Sequence, residues 1–250
     1  DTVESLGALQ VLCLDKTGTL TQNRLRVSSV TTGLHPDMPQ IPAALPRLFD
    51  IAALNNDAIA QPGGAEGSSG TERALLDAAV AAGVDVAALR RARPRRRVIE
   101  RTPERPYMIT LHAGVGPQTL IKGAPETVLE FCSHIWLEDG PRELTDAHRN
   151  RILAGNDLLA ARPARVLGFA QGAAALEGDR PSGLTWLGLM AMVDPLRPGA
   201  RAFIGAMHRA GIGTVMITGD QAATAALSWS TRSVFSQVKK PSDPSRPKWP

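Results

Sequence analysis

Residues 9–24 read LQVLCLDKTGTLTQNR, an apolar run that stops at Asp15 and gives way to Thr, Gly and Asn. Continuous apolar character with Leu and Val is typical of a strand buried in a parallel sheet, and the residues that follow are typical of a loop. Residues 213–220, GTVMITGD, repeat the arrangement near the other end of the chain. Because ligands bind at the carboxyl ends of parallel strands, the sequence predicts an α/β fold with a site at these two loops.

The region between the two strands is a mixed insertion of about 155 residues, within the size range of a domain. Apolar runs and alternation predict strands at 25–30, 107–112, 118–121, 165–170 and 184–193. Thr71 as an N-cap, Gly83 as a stop and Pro125 at a first helical position mark helix ends. The predicted helices are 43–54, 72–82, 125–136, 146–161 and 199–210.

Asp15 and the trio Thr218, Gly219 and Asp220 carry the chemistry that the two loops predict. A carboxylate among backbone N–H groups and hydroxyls suits a phosphoryl group together with Mg²⁺. Asp15 is a candidate nucleophile that forms an aspartyl-phosphate. A lone Thr-Gly-Asp is more often only a turn, whereas the seven residues DKTGTLT after an apolar strand are far more specific.

DKTGTLT resembles the phosphorylation signature of P-type ATPases. KGAPE at 122–126, VDPLRP at 193–198 and MITGD at 216–220 follow in the family's order, and the resemblance covers about residues 1–226. KGAPE favours the calcium, sodium and proton branch of the cation-transporting members. The resemblance implies a C-terminally truncated cytoplasmic phosphorylation and nucleotide-binding region.

The resemblance implies a divided architecture: an incomplete Rossmann-like (haloacid dehalogenase-like) parallel sheet with an inserted α+β nucleotide-binding domain. Residues 1–31 and 189–226 would form the phosphorylation domain, and 32–188 the insertion. Residues 227–250 fit no expected continuation and are predicted to be a disordered tail.

The resemblance also implies roles for individual residues in the phosphorylation domain. Asp15 would receive the γ-phosphate of ATP, and Asp15 with the backbone carbonyl of Thr17 would coordinate Mg²⁺. Thr218 and the Gly219 amide would hold the phosphoryl group. The remaining catalytic-loop positions are Lys16 and Asp220, and the residues that would contact the nucleotide are Asp194 and Arg197.

In the inserted domain, the resemblance implies an ATP pocket. Lys122 and Gly123 of KGAPE would line the adenine site, and Glu72 would meet the adenine amino group. Arg165 would reach the phosphates. Arg101 occupies the position of a Phe that stacks on adenine in the family, and a guanidinium can also stack on a base.

Thr17 occupies the position at which phosphatases of the same superfamily carry a second Asp as general acid and base. A hydroxyl cannot replace that carboxyl group, so hydrolysis of an acyl phosphate should be slow, which suits a pump cycle. The GDGxND motif, the TGE actuator motif and membrane helices are absent from these 250 residues. Three hypotheses follow: a catalytic fragment of an ATP-driven cation pump, a non-catalytic nucleotide-binding remnant, and a soluble superfamily phosphatase, which Thr17 and the KGAPE-bearing insertion disfavour.

Composition and charge exclude several other classes. Hydrophobic residues make up 43% and charged residues 21%, so wholesale disorder is excluded. Residues 227–250 hold five Lys or Arg and one Asp, which equals the net charge of +4 of the whole chain. The body is therefore formally neutral, no nucleic-acid partner is expected, and the arginine run at 90–97 is predicted to be a solvated face.

The expected cofactors and partners are ATP, Mg²⁺ and, in an intact parent, its own membrane and actuator domains. The expected location is the cytoplasmic face of a membrane in the parent, with the fragment itself soluble in the cytoplasm.

Overall fold

A computed structural model describes residues 9–34, 45–67, 69–116, 118–173 and 180–217. Contacts within the chain divide it into a small unit, residues 1–24 and 194–250, and a large unit, residues 25–193. The sequence predicts domain boundaries after residues 31 and 188. The assignment of the resulting segments to a phosphorylation domain and an inserted nucleotide-binding domain stays a prediction. The predicted tail, 227–250, lies outside the described residues.

The described elements occur as short runs of strands separated by helices. The strands are β1 (Val11–Asp15), β2 (Arg26–Thr31), β3 (Arg95–Ile99), β4 (Tyr107–His112), β5 (Thr119–Gly123), β6 (Cys132–Leu137), β7 (Gly140–Glu143), β8 (Ala164–Gly172), β9 (Leu184–Val193) and β10 (Gly213–Ile217). The helices are α1 (Leu45–Leu54), α2 (Gly70–Ala81), α3 (Val86–Ala92), α4 (Pro125–Glu130), α5 (Asp146–Ala160) and α6 (Ala200–Arg209). The predicted mixed α/β class is confirmed.

The described part of the large unit contains one eight-stranded sheet, in which seven strands follow the order β3-β4-β5-β8-β9-β6-β7 and the eighth, β2, pairs with β9. Strand β9 lies at the centre of the sheet, and β8 pairs antiparallel with almost the whole length of β9. On the other edge of β9, β2 pairs antiparallel with Leu189–Val193 and β6 pairs parallel with Leu184–Trp186. The predicted limits of β4 and β9 are those observed.

Strand β9 is buried on both faces of the sheet, and its successive side chains belong to two different cores. Trp186 and Leu189 belong to one cluster, which packs against α4 and α5. Leu187 and Met190 belong to the other, which packs against α1, α2 and α3. Such two-sided burial explains why β9 is apolar throughout rather than alternating with polar residues.

Two predicted helix features are wrong. The N-cap of α2 is Ser69, whose hydroxyl accepts a hydrogen bond from the Glu72 N–H, and Thr71 lies inside the helix. Pro125 is at the start of α4 as predicted, but that helix ends at Glu130 and the following residues form β6. A short apolar run suits a helix and a strand equally, and pairing with β9 decides for the strand.

The arginine run at 90–97 is only partly a solvated face. Arg91 and Arg95–Arg97 are exposed, as predicted. Arg90 is half-buried, and its guanidinium donates hydrogen bonds to the carbonyls of Ala53, Asn56 and Ala58. The prediction of a solvated side chain is therefore wrong for Arg90.

In the described part of the small unit, β1 and β10 pair in parallel, with Asp15 opposite Ile217. Residues along β1 alternate between exposed and half-buried. Lys16–Leu20 form a wide turn after β1, in which Thr17 and Gly18 have non-helical backbone angles. Among the described residues, no helix combines the length and apolar character needed to cross a bilayer.

Candidate functional site

A cleft of about 480 Å³ opens in the large unit, at one end of strands β3, β4, β5 and β8. The start of α2 and the residues that follow β3 complete its wall. All five sequence-predicted residues of the inserted domain line this cleft: Glu72, Arg101, Lys122, Gly123 and Arg165. The fold therefore brings together residues from four separate segments of the chain.

Lys122 and Glu72 form a buried ion pair at this cleft, with 2.6 Å between Nζ and Oε2. The side chain of Lys122 is 5% exposed and that of Glu72 is 12% exposed. The Lys122 ammonium also donates to the backbone carbonyl of Asn55, and the Asp57 N–H donates to Glu72 Oε2 at 3.4 Å. Burial lowers the pKa of Lys122, and the Glu72 carboxylate opposes that effect.

Gly123 lies opposite Tyr107 where β5 pairs with β4. A Cβ at this position would lie 2.5 Å from both the Pro106 carbonyl oxygen and the Tyr107 Cβ. Only glycine therefore fits, and the close approach of the two strands shapes the wall of the cleft.

Besides Lys122, two predicted cationic side chains line the cleft, Arg101 and Arg165. Arg165 donates a hydrogen bond from Nη1 to the Thr71 hydroxyl at 2.6 Å, which ties the start of β8 to α2. Arg101 is exposed where it lines the cleft. With Lys122, these side chains offer positive charge to an anionic ligand, and Glu72 offers an acceptor to a ligand N–H group.

Sequence reasoning missed the polar residues that follow α1. Asn55 is fully buried, and its Nδ2 donates to the carbonyls of Met108 at 3.1 Å and Leu120 at 3.0 Å. The Asn56 Nδ2 donates to the Glu72 carbonyl at 2.8 Å. The signal available in the sequence was the run of three polar residues, Asn-Asn-Asp, directly after an apolar helix. Buried amide side chains are normally hydrogen-bonded, so such a run indicates polar partners in the fold.

In the small unit, Asp15 and Thr17 lie at the carboxyl end of β1 and are exposed. Asp15 Oδ1 accepts the Thr17 N–H at 3.3 Å. Gly18 has a φ of +83°, which a glycine adopts without strain, and its N–H donates to the Thr21 hydroxyl at 3.1 Å. Lys16, in the same turn, is buried.

Asp194 and Arg197 hold this turn from the other segment of the small unit. The Thr21 hydroxyl donates to Asp194 Oδ2 at 2.5 Å, and the Arg24 N–H donates to Oδ1 at 3.1 Å. Arg197 Nη2 donates to the Gly18 carbonyl at 2.9 Å. Their predicted contact with a nucleotide stays a prediction.

The other predicted loop, Thr218, Gly219 and Asp220, lies outside the described residues. Within the described ranges, no three His, Cys, Asp or Glu side chains are grouped as a metal site requires.

Comparison with known families gives a match over residues 44–199 to the P-type ATPase cytoplasmic domain N. The chain belongs to the P-type ATPase family. The matched residues contain every residue that lines the cleft. The resemblance to P-type ATPases that the motifs indicated is therefore confirmed.

Individual relatives agree with this assignment for the P-type ATPase chain. It is 36% identical over 254 residues to the probable cation-transporting ATPase F of Mycobacterium tuberculosis, covering 89% of this chain and 28% of the relative. It is 34% identical over 257 residues to the cation-transporting ATPase pma1 of Synechocystis, with the same coverage. A calcium-transporting ATPase of Listeria monocytogenes is 32% identical over 235 residues, covering 89% and 27%. The chain thus spans little more than a quarter of the length of these relatives.

Proposed function

We propose that the cleft of the large unit binds ATP. The observation that carries this proposal is the buried Lys122–Glu72 pair at a cleft of about 480 Å³. Small-molecule sites are typically clefts of about 300–1,000 Å³ with a few well-placed polar groups. A buried ion pair seldom stabilises a fold more than well-packed apolar residues would. The position of the Lys122–Glu72 pair at a cleft therefore favours a binding role.

The contacts within the pair assign roles to its atoms. Glu72 Oε2 already accepts from Lys122 and from the Asp57 N–H, which orients the carboxylate. Oε1 is then the acceptor for the adenine amino group. Arg101 stacks on the base, the backbone at Gly123 lies beside it, and Arg165 meets the phosphates.

In the small unit, Asp15 is the phosphoryl acceptor. Its carboxylate and the Thr17 carbonyl are hard oxygen donors in an exposed loop, which fits Mg²⁺, an ion that binds through one or two carboxylates and substrate phosphates. When bound, Mg²⁺ supplies positive charge that neutralises the phosphates. Thr218 and Gly219 hold the phosphoryl group, Lys16 and Asp220 belong to the same loops, and the surrounding fold is haloacid dehalogenase-like.

The reaction is an in-line displacement. An Asp15 carboxylate oxygen bonds to the γ-phosphorus, the bond from that phosphorus to the β–γ bridging oxygen breaks, and ADP leaves with the electron pair. Water later attacks the acyl phosphate and releases inorganic phosphate and the carboxylate. Because Thr17 has no carboxyl group to activate that water, the aspartyl-phosphate is long-lived.

The parent activity is ATP-driven cation transport. The relatives are named for transport of cations or calcium, and this part would lie at the cytoplasmic face of the membrane beside membrane and actuator domains. Asp194 and Arg197 contact the nucleotide in that assembly, in addition to the hydrogen bonds with which they hold the Asp15 turn.

Incubation of the intact parent with ATP labelled at the γ-phosphate tests the chemistry. We expect an acid-stable, hydroxylamine-labile phosphoprotein, which Asp15→Asn abolishes. Label that persists in Asp15→Asn would contradict the assignment. Parallel titration of the 250-residue chain with ATP, with and without Mg²⁺, tests the cleft; Lys122→Ala should weaken binding, and Arg142→Ala, on the exposed β7, should not.

A further inference from the structure

Arg90 lies in the last turn of α3 and is bonded to the backbone that leaves α1. Its Nε and Nη2 donate to the Ala53 carbonyl at 3.1 and 2.9 Å. Nη2 also donates to the Asn56 carbonyl and Nη1 to the Ala58 carbonyl, both at 3.0 Å. Ala53 is in the last turn of α1, where carbonyls have no partner inside the helix, so Arg90 caps that helix and shapes the segment after it.

The other side of the same segment contacts the ion pair at the cleft. Asn55 offers its carbonyl to Lys122, and the Asp57 N–H donates to the Glu72 carboxylate. The carbonyls of Asn56 and Ala58, by contrast, point to Arg90. The backbone of residues 55–58 therefore presents polar groups both to the ion pair and to Arg90.

The segment 55–58 therefore lies between two cationic groups, and only one of them lines the cleft. Each of the three guanidinium nitrogens of Arg90 donates to a backbone carbonyl. The planar fork can hold several carbonyls at fixed angles, which the single ammonium of a lysine cannot.

We propose that Arg90 is a positioning residue for the nucleotide cleft: by holding the backbone carbonyls of residues 53, 56 and 58, it sets the Asn55 carbonyl and the Asp57 N–H that orient Lys122 and Glu72. The inference rests on the proposed binding of ATP in this cleft. It assigns a function to an arginine outside the cleft that neither the motifs nor the family match singles out.

A double-mutant cycle with the full 250-residue chain tests this role. The affinity for a fluorescent ATP analogue is measured in the wild type, Arg90→Lys, Glu72→Gln and the double variant. We expect Arg90→Lys to weaken binding about tenfold in the wild type but less than about twofold in Glu72→Gln, because coupled residues do not add. Equal losses in both backgrounds would mean a merely structural role and would overturn the proposal.

Three further proteins make the result unambiguous. Arg91→Lys changes the exposed neighbour on the same helix and should bind as the wild type does. Leu48→Ala truncates a fully buried side chain of α1 that lies outside residues 53–58, and should leave the affinity of the folded protein unchanged. Arg90→Gln is a second variant with the same expectation as Arg90→Lys, and urea unfolding shows which variants are folded.

The failure of this inference is distinguishable from the failure of the proposed function. If Glu72→Gln binds the analogue as tightly as the wild type, or the wild type does not bind, both are wrong. If Glu72→Gln weakens binding and Arg90→Lys does not, only the positioning role is wrong.

Discussion

The large and small units hold their candidate site residues in opposite ways. In the large unit, Lys122 and Glu72 are withdrawn from water between a sheet and helices that cover both of its faces. In the small unit, Asp15 and Thr17 are exposed at the carboxyl end of β1, which pairs in parallel with β10. The Asp15 turn is held by hydrogen bonds to Asp194 and Arg197 rather than by burial.

The difference suits the two proposed roles, ATP binding in the large unit and phosphoryl acceptance at Asp15 in the small unit. A buried ion pair is coupled to the stability of the whole unit, because a charge left without its partner is expensive in a medium of low dielectric. An exposed turn can change its contacts at a small cost in free energy. A phosphoryl acceptor needs that freedom, because its partners change during the proposed reaction. The following predictions break or sharpen this contrast, beginning with the largest effect.

Removal of one partner of the pair should have the largest effect. Glu72→Ala leaves the buried Lys122 ammonium without its carboxylate and should lower the free energy of unfolding by about 3–5 kcal/mol, as measured in urea. Glu72→Leu combined with Lys122→Met should recover most of that loss of stability, although this double variant should not bind ATP. An equally unstable double variant would show that lost packing, and not an unpaired charge, is the cause.

Gly123→Ala should have the next largest effect. The added methyl group meets the Pro106 carbonyl and Tyr107 at 2.5 Å, so the β4–β5 pair must shift, at about 1–3 kcal/mol. Gly70→Ala is the matched control, because its Cβ meets nothing closer than 3.9 Å at the start of α2. Thermal unfolding should show a loss only in Gly123→Ala; equal melting temperatures would contradict the close packing of the cleft wall.

Thr21→Val should act on the small unit alone. The change removes the hydroxyl that bonds to Asp194 and to the Gly18 N–H, worth about 1 kcal/mol, so exchange of the Gly18 and Arg24 amides should quicken about fivefold. Hydrogen exchange followed by NMR measures this. Exchange of the amides in the β8–β9 pairing of the large unit should stay the same, and an equal acceleration there would contradict an effect confined to the small unit.

The smallest effect should be a pH dependence from His112. Burial lowers the pKa of His112 from 6.5, with Arg93, Arg95 and Arg90 adding to the effect and the bond to the Arg93 carbonyl opposing it. The unfolded chain therefore takes up this proton at a higher pH than the folded chain does. The free energy of unfolding should be level above about pH 6.5 and fall as the pH drops towards the lower folded pKa.

His112→Asn isolates that contribution. The difference in free energy of unfolding between wild type and variant should change with pH below 6.5 and be constant above it. Parallel curves throughout would show that folding leaves the pKa of His112 unchanged.

Sequence reasoning succeeded where the length and composition of an apolar run are compatible with only one kind of element. The ten apolar residues 184–193 form β9, and 107–112 form β4, within the predicted limits. It failed at 131–136, because a short apolar run suits two structures and only pairing with β9 selects the strand. It also failed at Thr71, because Ser69 and Thr71 both offer a capping hydroxyl and only the observed bond to the Glu72 N–H distinguishes them.

The candidate site shows the same limit. Lys122 and Glu72 lie 50 residues apart, so no local pattern joins them, and only the resemblance to the family named both. The roles of Asn55 and Arg90 depend on backbone carbonyls that come together only in the folded chain. Long-range hydrogen bonds to the backbone leave little trace in side-chain composition, which is why they were missed.

Photolabelling with an azido-ATP analogue tests the central claim most directly, because it reports where the nucleotide lies. The full chain is irradiated with the analogue, and the labelled peptides are identified by mass spectrometry. The cleft account predicts label on peptides around 100–108 and 122–124, which excess ATP prevents and the Glu72→Leu, Lys122→Met double variant lacks. Label confined to other segments, or label at the cleft that persists in the folded double variant, would contradict it.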